Sequence, residues 1–288
     1  MITKKLGPFT IIETTTKTAL STSKLPGLDY SLNPYTGCSH GCVYCYAAST
    51  LNDRNLASRW GDVVFVKTNI TEVLEQEVKV KKRGIVGVST VTDPYQPPEA
   101  LYKLTRKSLI ILKQNRFRIS IQTKSSLILR DKDIIEPKLF DVGVTITTID
   151  PNIAKILEPS TPPPIARIKV LKEFANSGVE TWIFLGPLIP TINDDTYNIE
   201  QIINIAKETN SYILYDKLNI RKYVTEILKP TLEKHWPGVS KYIINLSRSP
   251  TNEYWTKRYK TIEELCKKLG VKCEPAFQYK QTNLSEYL

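Results

Sequence analysis

Long apolar runs are absent from this sequence. The most apolar stretch, TWIFLGPLIP, is interrupted by glycine and proline and falls well short of the roughly 18 residues that a membrane-spanning helix needs. The first residues, MITKKLGPFTII, contain two lysines but neither a long apolar segment nor a small-residue cleavage site, so they do not resemble a secretory signal. These absences predict a cytoplasmic protein that does not associate with membranes.

Cysteine is also scarce, with five residues in a chain of 288. Three of them, Cys38, Cys42 and Cys45, lie within eight residues, and no cysteine occurs between Cys45 and Cys266. Intracellular thiols are normally kept reduced, so clustered cysteines there bind metal more often than they form disulfides. The three-cysteine segment is therefore a candidate metal site.

Acidic residues are fewer than basic ones, since 29 Asp and Glu stand against 40 Lys and Arg, a net charge of +11. Such a balance favours an anionic partner, which can be a nucleic acid, a phosphorylated metabolite or an acidic surface. A solvated basic surface without a ligand explains the charge equally well.

Apolar, β-branched runs alternate with segments of helical periodicity. Six predicted strands span residues 28–37, 84–93, 117–125, 142–150, 179–190 and 211–219. Apolar residues between them recur at spacings of three and four, which marks buried helix faces. These are Ile70, Val73, Leu74 and Val78; Leu101, Leu104, Leu109 and Leu112; Ile165, Ile168, Leu171 and Phe174; and Ile199, Ile202, Ile203 and Ala206. Repetition of strand and helix predicts a parallel sheet covered by helices, either a partial barrel or an open doubly wound sheet.

Residues 1–221 are predicted to form this barrel together with an N-terminal extension. From residue 222 onward, in KYVTEILKPTLEKHWPG and beyond, the alternation is lost. The pattern there is typical of helices followed by a terminal strand. We therefore expect residues 222–288 to form a C-terminal cap that packs on the barrel as one unit with it.

The segment CSHGCVYC, residues 38–45, supplies three thiols in one loop. A structural zinc site with three cysteines and one histidine is one interpretation, with His40 as the fourth ligand. Such sites usually join two separated ligand pairs, whereas three thiolates in one tight loop leave a coordination position open. In a 4Fe-4S cluster each iron takes one external ligand, so three cysteines leave one iron free to bind another molecule.

This loop resembles that of the radical SAM superfamily, in which a Cys-x3-Cys-x2-Cys loop holds a 4Fe-4S cluster and S-adenosylmethionine chelates the fourth iron. Cys38, Cys42 and Cys45 match the three ligands, and Tyr44 occupies the aromatic position before the last cysteine. Further segments resemble the branch that includes spore photoproduct lyase. They are NPYTGCSHGCVYCYA, WGDVVFVKTN, STVTDPYQPPE, LTRKSL, QTKSSLILRD, VGVTITT and LEPSTPPPIAR. Together they cover most of residues 20–190, whereas the last third of the chain carries no such motif.

The resemblance implies an α/β fold, a partial (β/α)6 TIM-like barrel with a C-terminal helical extension. It also implies reductive cleavage of S-adenosylmethionine to methionine and a 5′-deoxyadenosyl radical, which abstracts hydrogen from a substrate. The cofactor carries this chemistry, and the protein orients it. An external donor such as ferredoxin or flavodoxin is expected to supply the electron. Cys266 and Cys273 are too few to hold a second 4Fe-4S cluster by four thiolates.

Polar side chains lie near the carboxyl ends of the predicted strands, where a barrel has its mouth. Residues two apart share a face of a strand, so Thr145 lies on the same side as Thr147. The resemblance implies that Lys124 pairs with the carboxylate of S-adenosylmethionine and that Ser89 or Thr90 lies near its amino group. It also implies that Thr145 lies near the methionine or ribose, and it adds Tyr44 and Thr147 to the cofactor-binding residues. A simpler interpretation is that threonines suit strands.

Asp93, Tyr95 and Gln96 follow the second predicted strand in the sequence TDPYQP. Asp-Pro-Tyr commonly forms a turn, which would give these residues a structural role. A turn at the barrel mouth that carries an acid, a phenol and an amide is equally suited to contact substrate. The three residues are therefore candidate catalytic residues.

The resemblance to spore photoproduct lyase is incomplete at one point. That enzyme uses a cysteine inside the barrel, downstream of the cluster loop, to return hydrogen to the product radical, whereas this sequence has none between Cys45 and Cys266. Tyr46, Tyr95 or a C-terminal thiol are the alternative donors. The sequence therefore predicts cleavage of S-adenosylmethionine with poor repair of the spore photoproduct.

Three functions are compatible with these features. The first, and our main hypothesis, is hydrogen abstraction on a nucleic acid, DNA or RNA, in lesion repair or base modification. The second is radical modification of a peptide or small molecule. The third is a non-catalytic zinc or iron-sulfur protein that binds nucleic acid.

Overall fold

The computed structural model describes residues 3–51, 53–249 and 252–277. Its strands are β1 (Thr3–Leu6), β2 (Phe9–Thr14), β3 (Leu20–Thr22), β4 (Tyr30–Leu32), β5 (Tyr35–Thr36), β6 (Val63–Lys67), β7 (Ile85–Val88), β8 (Arg118–Thr123), β9 (Phe140–Thr145), β10 (Glu180–Leu188), β11 (Tyr212–Lys217) and β12 (Cys273–Pro275). Its α-helices are α1 (Arg54–Ser58), α2 (Ile70–Val80), α3 (Pro98–Tyr102), α4 (Leu104–Gln114), α5 (Pro151–Leu157), α6 (Pro164–Asn176), α7 (Thr196–Glu208), α8 (Val224–His235), α9 (Ser240–Arg248) and α10 (Glu253–Leu269). Two 3₁₀-helices span Tyr46–Thr50 and Ser126–Asp131.

Eight strands form one central sheet in the spatial order β12-β11-β10-β9-β8-β7-β4-β3. All neighbours in it are parallel except β3 and β4. Within the described residues the sheet stays open, with β3 and β12 as its edges. The six strands β4, β7, β8, β9, β10 and β11 correspond to the six predicted from periodicity. The prediction of a partial barrel is confirmed.

The first predicted strand, residues 28–37, is divided in two. Its first part, β4, joins the central sheet, whereas β5 pairs with β6 in a second sheet of order β1-β2-β6-β5. Pro34 lies at the division, and a proline cannot donate a hydrogen bond to a strand ladder. The side chain of Asn33 instead accepts a 3.2 Å hydrogen bond from the backbone N–H of Val91. The prediction of one continuous strand is therefore wrong.

The predicted helix faces are found in α2, α4, α6 and α7, with two exceptions. Leu101 is 62% exposed because Lys103 takes a left-handed conformation and separates α3 from α4. Ile165 is 71% exposed in the first turn of α6, whose buried face begins with Pro164 and Arg167. Gly178 follows α6 with a φ of 77°, a left-handed conformation that glycine adopts without strain.

The chain beyond β11 forms α8, α9, α10 and β12. Trp255, Ile262 and Cys266 of α10 are buried in the same hydrophobic core as the strands of the central sheet. Strand β12 extends that sheet beside β11. The predicted boundary at residue 222 falls between β11 and α8, and the last part of the predicted cap, residues 278–288, lies outside the described residues.

The loop that carries the three cysteines follows β5. Gly41 in this loop and Gly61 before β6 both have positive φ angles, of 61° and 103°. A Cβ atom on Gly61 would lie only 3.0 Å from the Cα atom of Gly41. The two segments therefore pack backbone against backbone.

No helix in the described part of the chain is both long and apolar enough to cross a membrane.

Candidate active site

A cavity of about 1270 Å³ is lined by residues from the strands of the central sheet and from the cysteine loop. Its wall is built from alternate residues of the strands, because successive side chains of a strand face opposite sides. Ser120 and Gln122 of β8, Thr145 of β9 and Phe184 of β10 are among these inward residues. The cavity is the space in which this fold can enclose a cofactor and a substrate.

Cys38, Cys42 and Cys45 all line this cavity. The loop is closed by two backbone hydrogen bonds, from Gly41 N to Cys38 O at 3.2 Å and from Cys45 N to Cys42 O at 3.1 Å. Cys38 and Cys42 are buried, and Cys45 is half-buried. The structure therefore brings the three predicted ligands together at one wall of the cavity.

The protonation and spacing of the three thiols bear on how they could hold a metal centre. Burial raises the pKa of Cys42 and raises that of Cys45 to about 11, although Lys124 opposes both shifts. A bound metal that needs thiolates would reverse this preference for the neutral form. Among the described residues, no three Cys, His, Asp or Glu side chains converge on a point that could hold one metal ion. A cluster takes one thiolate on each of three irons, so its ligands need not converge.

Lys124 lies beside the cysteine loop, directly after β8. Its Nζ atom is 5.8 Å from the centre of the Tyr44 ring. Burial lowers the pKa of Lys124, but Cys42, Glu158 and Cys45 outweigh burial and raise it above the ordinary value. A charged ammonium group in this cavity is suited to pair with a carboxylate, as the resemblance implies.

Ser89, Thr90 and Thr145 also line the cavity, but Thr147 does not. Ser89 is held at a φ of 64°, and no described residue forms a hydrogen bond with its buried hydroxyl group. Thr145 accepts a 3.1 Å hydrogen bond from Gln122. Thr147 follows the end of β9 and donates instead to Glu158 at 3.1 Å. The hydroxyl group of Thr147 is thus engaged by Glu158, and its contact with the cofactor stays a prediction.

Asp93 lines the cavity but is fully engaged by the protein. Its carboxylate accepts hydrogen bonds from Thr123 Oγ1 at 2.7 Å, from Lys124 N at 2.8 Å and from Tyr95 N at 2.9 Å. The ring of His40 lies 3.4 Å away. Burial would raise the pKa of Asp93, but His40 and these donors lower it to about 2. Asp93 therefore ties the ends of β7 and β8 to the cysteine loop.

Tyr95 and Gln96 do not reach the cavity. Both are buried, and Gln96 lies behind the cysteine loop, where its Oε1 atom accepts a 2.9 Å hydrogen bond from Ser39 N. Its Nε2 atom donates to Gly37 O at 3.3 Å. The structural interpretation of the TDPYQP turn therefore fits these two residues, and their contact with substrate stays a prediction.

Of the alternative hydrogen donors, only Tyr46 lines the cavity within the described residues. Its ring is 39% exposed and carries the Arg221 guanidinium group 5.6 Å from its centre. Cys266 and Cys273 lie within hydrogen-bonding reach of each other on the helix-covered side of the sheet. Glu274, the neighbour of Cys273 in β12, lines the cavity, whereas Cys273 does not.

Sequence reasoning missed Glu158 and Arg167, an ion pair whose two side chains are 0% and 1% exposed. Glu158 also accepts a hydrogen bond from the hydroxyl group of Tyr44 in the cysteine loop. Both charged residues belong to the motif LEPSTPPPIAR. The available signal was the presence of two opposite charges in a proline-rich motif. The sequence did not indicate that Glu158 contacts a tyrosine 114 positions away.

Solved structures with a similar fold include a spore photoproduct lyase variant with bound AdoMet and dinucleoside spore photoproduct. Its TM-score is 0.71 at 11% sequence identity, over 93% of this chain and 82% of that one. A radical SAM methyltransferase from Sphaerobacter thermophilus gives a TM-score of 0.55 at 13% identity, over 95% of this chain and 67% of the other. At these identities the similarity shows the fold alone.

Similar sequences occur in distant organisms. An uncharacterized protein of Methanocaldococcus jannaschii is 33% identical over 236 residues, 82% of this chain and 87% of that protein. An uncharacterized protein of Mycobacterium tuberculosis is 31% identical over 182 residues, 60% of this chain and 54% of its own length. The family model described as the Radical SAM superfamily matches residues 32–214, which include the cysteine loop and β5 to β10. With this match and the three thiols at the cavity wall, the chain belongs to the radical SAM superfamily, whose members bind a 4Fe-4S cluster and S-adenosylmethionine.

Proposed function

We propose that this protein is a radical SAM enzyme that abstracts hydrogen from a nucleic acid, in lesion repair or base modification. The observation that carries the enzymatic part is the joint placement of Cys38, Cys42, Cys45 and Lys124 around one large cavity. Three thiolates can hold a cluster with one iron left for S-adenosylmethionine, and Lys124 can pair with its carboxylate. When bound, this pair of cofactors supplies the 5′-deoxyadenosyl radical.

The nucleic-acid part is supported by charge and by the cavity wall. The net charge is +11, and the cavity is lined by Arg221 beside the exposed ring of Tyr46. Cations bind phosphate groups, and an aromatic ring offers a surface on which a base can stack. A spore photoproduct lyase with this fold binds a dinucleoside photoproduct, which is consistent with a nucleotide substrate here.

The test begins with anaerobic reconstitution of the protein with iron and sulfide. Close to four irons per chain, and release of 5′-deoxyadenosine from S-adenosylmethionine on reduction, would establish the enzymatic part. One zinc per chain without cleavage would instead favour the non-catalytic binding protein. Mass spectrometry of tRNA and DNA nucleosides from hosts with and without the protein then tests the substrate. An unchanged nucleoside profile together with cleavage activity would favour a peptide or a small molecule.

A cytoplasmic location and a low-potential donor such as ferredoxin or flavodoxin belong to the same proposal. Reductive cleavage of S-adenosylmethionine consumes one electron, which such a donor would supply. Activity with reduced flavodoxin in place of a chemical reductant would support this part, and activity that depends only on the chemical reductant would count against it.

A further inference from the structure

The segment that follows α5 packs directly on the cysteine loop. Val43 N donates a 3.0 Å hydrogen bond to Leu157 O, and Ser160 N donates a 3.3 Å hydrogen bond to His40 O. Glu158 lies between these two backbone contacts. A stretch of chain far from the cysteines in sequence therefore supports their loop from outside the cavity.

The carboxylate of Glu158 is completely buried and has three protein partners. Its Oε1 atom accepts hydrogen bonds from the hydroxyl groups of Tyr44 and Thr147, and its Oε2 atom pairs with Arg167. Burial would raise the pKa of Glu158, but Arg167 and Lys124 lower it below the ordinary value. The group is therefore an anion with a fixed position.

Arg167 is held as firmly as Glu158. It donates from Nε to Pro162 O at 2.9 Å, from one terminal nitrogen to Thr145 O at 3.2 Å and from the other to Thr161 Oγ1 at 2.6 Å. A guanidinium group is planar with donors in fixed directions, so these bonds leave it one orientation. Because Thr145 ends β9, Arg167 connects Glu158 to the frame of the central sheet.

We propose that Glu158 is a positioning residue for the cluster. Arg167 fixes Glu158, and Glu158 holds the hydroxyl group of Tyr44, which lies between Cys42 and Cys45 in the sequence. A shift of the Tyr44 ring would displace both neighbouring thiols. The inference depends on the family membership and not on the identity of the substrate.

Two variants test the link from Tyr44 through Glu158 to Arg167 from its two ends. Tyr44→Phe removes only the hydroxyl group. Glu158→Gln combined with Arg167→Met removes both buried charges together, since the loss of one alone would leave its partner unpaired in the interior and endanger folding. Glu173→Gln is the matched control, because Glu173 is an exposed acid on α6 paired with Lys132 at 2.7 Å. Circular dichroism of each apoprotein establishes that equal folded amounts are compared.

The measurements are iron per chain after reconstitution, the electron paramagnetic resonance spectrum of the reduced cluster with and without S-adenosylmethionine, and the midpoint potential. We expect Tyr44→Phe to take up less iron than the wild type. We expect the Glu158→Gln, Arg167→Met variant to take up less iron and to show an altered spectrum, whereas its potential should change little because the two removed charges cancel. When all three substitutions are combined, the loss of iron should be less than additive, because both variants break the same link.

Wild-type iron content and spectrum in both variants would overturn the proposal. A change of equal size in Glu173→Gln would overturn it as well, because the effect would then not belong to the buried pair. If the charge variant does not fold, Tyr44→Phe decides the question alone, since it tests the contact between Tyr44 and Glu158 directly. A wild-type protein that binds no cluster would instead refute the proposed function.

Discussion

The indole nitrogen of Trp182 donates a 2.8 Å hydrogen bond to Oδ1 of Asp141 on the neighbouring strand. The ring lies across Gly143, where a Cβ atom would come within 2.2 Å of the indole. Gly143→Ala should therefore lower the free energy of unfolding by about 1–3 kcal/mol, because the strand or the ring must shift. Urea denaturation measures this loss.

Val80→Ala is the control for this prediction, because Val80 is 84% exposed on α2. Its free energy of unfolding should stay within about 0.5 kcal/mol of the wild-type value. Equal effects of the two substitutions would contradict the contact between Gly143 and Trp182.

Alanine at any one of Cys38, Cys42 or Cys45 should abolish or severely weaken both iron binding and reductant-dependent release of 5′-deoxyadenosine. Each substitution would remove one of the three thiols that would hold the cluster. Iron analysis and chromatography of the nucleoside product check the two effects. Cys273→Ala, which changes a thiol that does not line the cavity, should retain both properties. A loop variant with full activity would overturn the assignment of the cluster ligands.

Gln96→Ala should weaken the cysteine loop without altering substrate binding. The substitution leaves Ser39 N without its buried acceptor, which costs about 1–3 kcal/mol, whereas Gly37 O keeps the hydroxyl group of Thr92 as a donor at 2.6 Å. We therefore expect a lower free energy of unfolding and less iron per chain. The KM of the cluster-loaded enzyme for its substrate should be unchanged. An increase in KM at wild-type stability would restore the interpretation of Gln96 as a substrate contact.

Affinity for duplex DNA or structured RNA should fall steeply with salt concentration. If cations near the cavity neutralise phosphates, log K against log salt should slope at about −0.9 per phosphate on B-DNA. Arg221→Gln should reduce the magnitude of the slope by about one. Fluorescence anisotropy with labelled oligonucleotides measures both quantities. Absence of binding even at low salt would favour a peptide or metabolite substrate.

The protein should cleave S-adenosylmethionine but repair the spore photoproduct poorly or not at all. No cysteine occurs between Cys45 and Cys266, and Cys266 and Cys273 do not line the cavity. The double substitution Cys266→Ala, Cys273→Ala should therefore leave cleavage intact. Efficient thymine release from a spore-photoproduct dinucleotide by the wild type, lost in the double variant, would show that a relocated thiol donates hydrogen.

Periodicity was sufficient for the central strands because each buries an apolar face whose pattern is local. It failed between Tyr30 and Thr36, where Pro34 sends the chain from one sheet to another. The cysteine spacing identified the cluster loop, since three ligands close in sequence must be close in space. It could not reveal that Gln96 and Glu158 support this loop, because those contacts depend on how distant segments pack.

The position of the cysteine loop has a consequence for the order in which the protein matures. The loop follows β5 of the small sheet, yet its thiols line the cavity of the central sheet. Its geometry therefore exists only after β5 has paired with β6 and the carboxyl ends of β7, β8 and β9 are in place. Iron insertion is expected to follow the assembly of both sheets. Refolding in the presence of iron and sulfide, with absorbance of the cluster compared with far-ultraviolet circular dichroism, should show cluster formation lagging behind secondary structure.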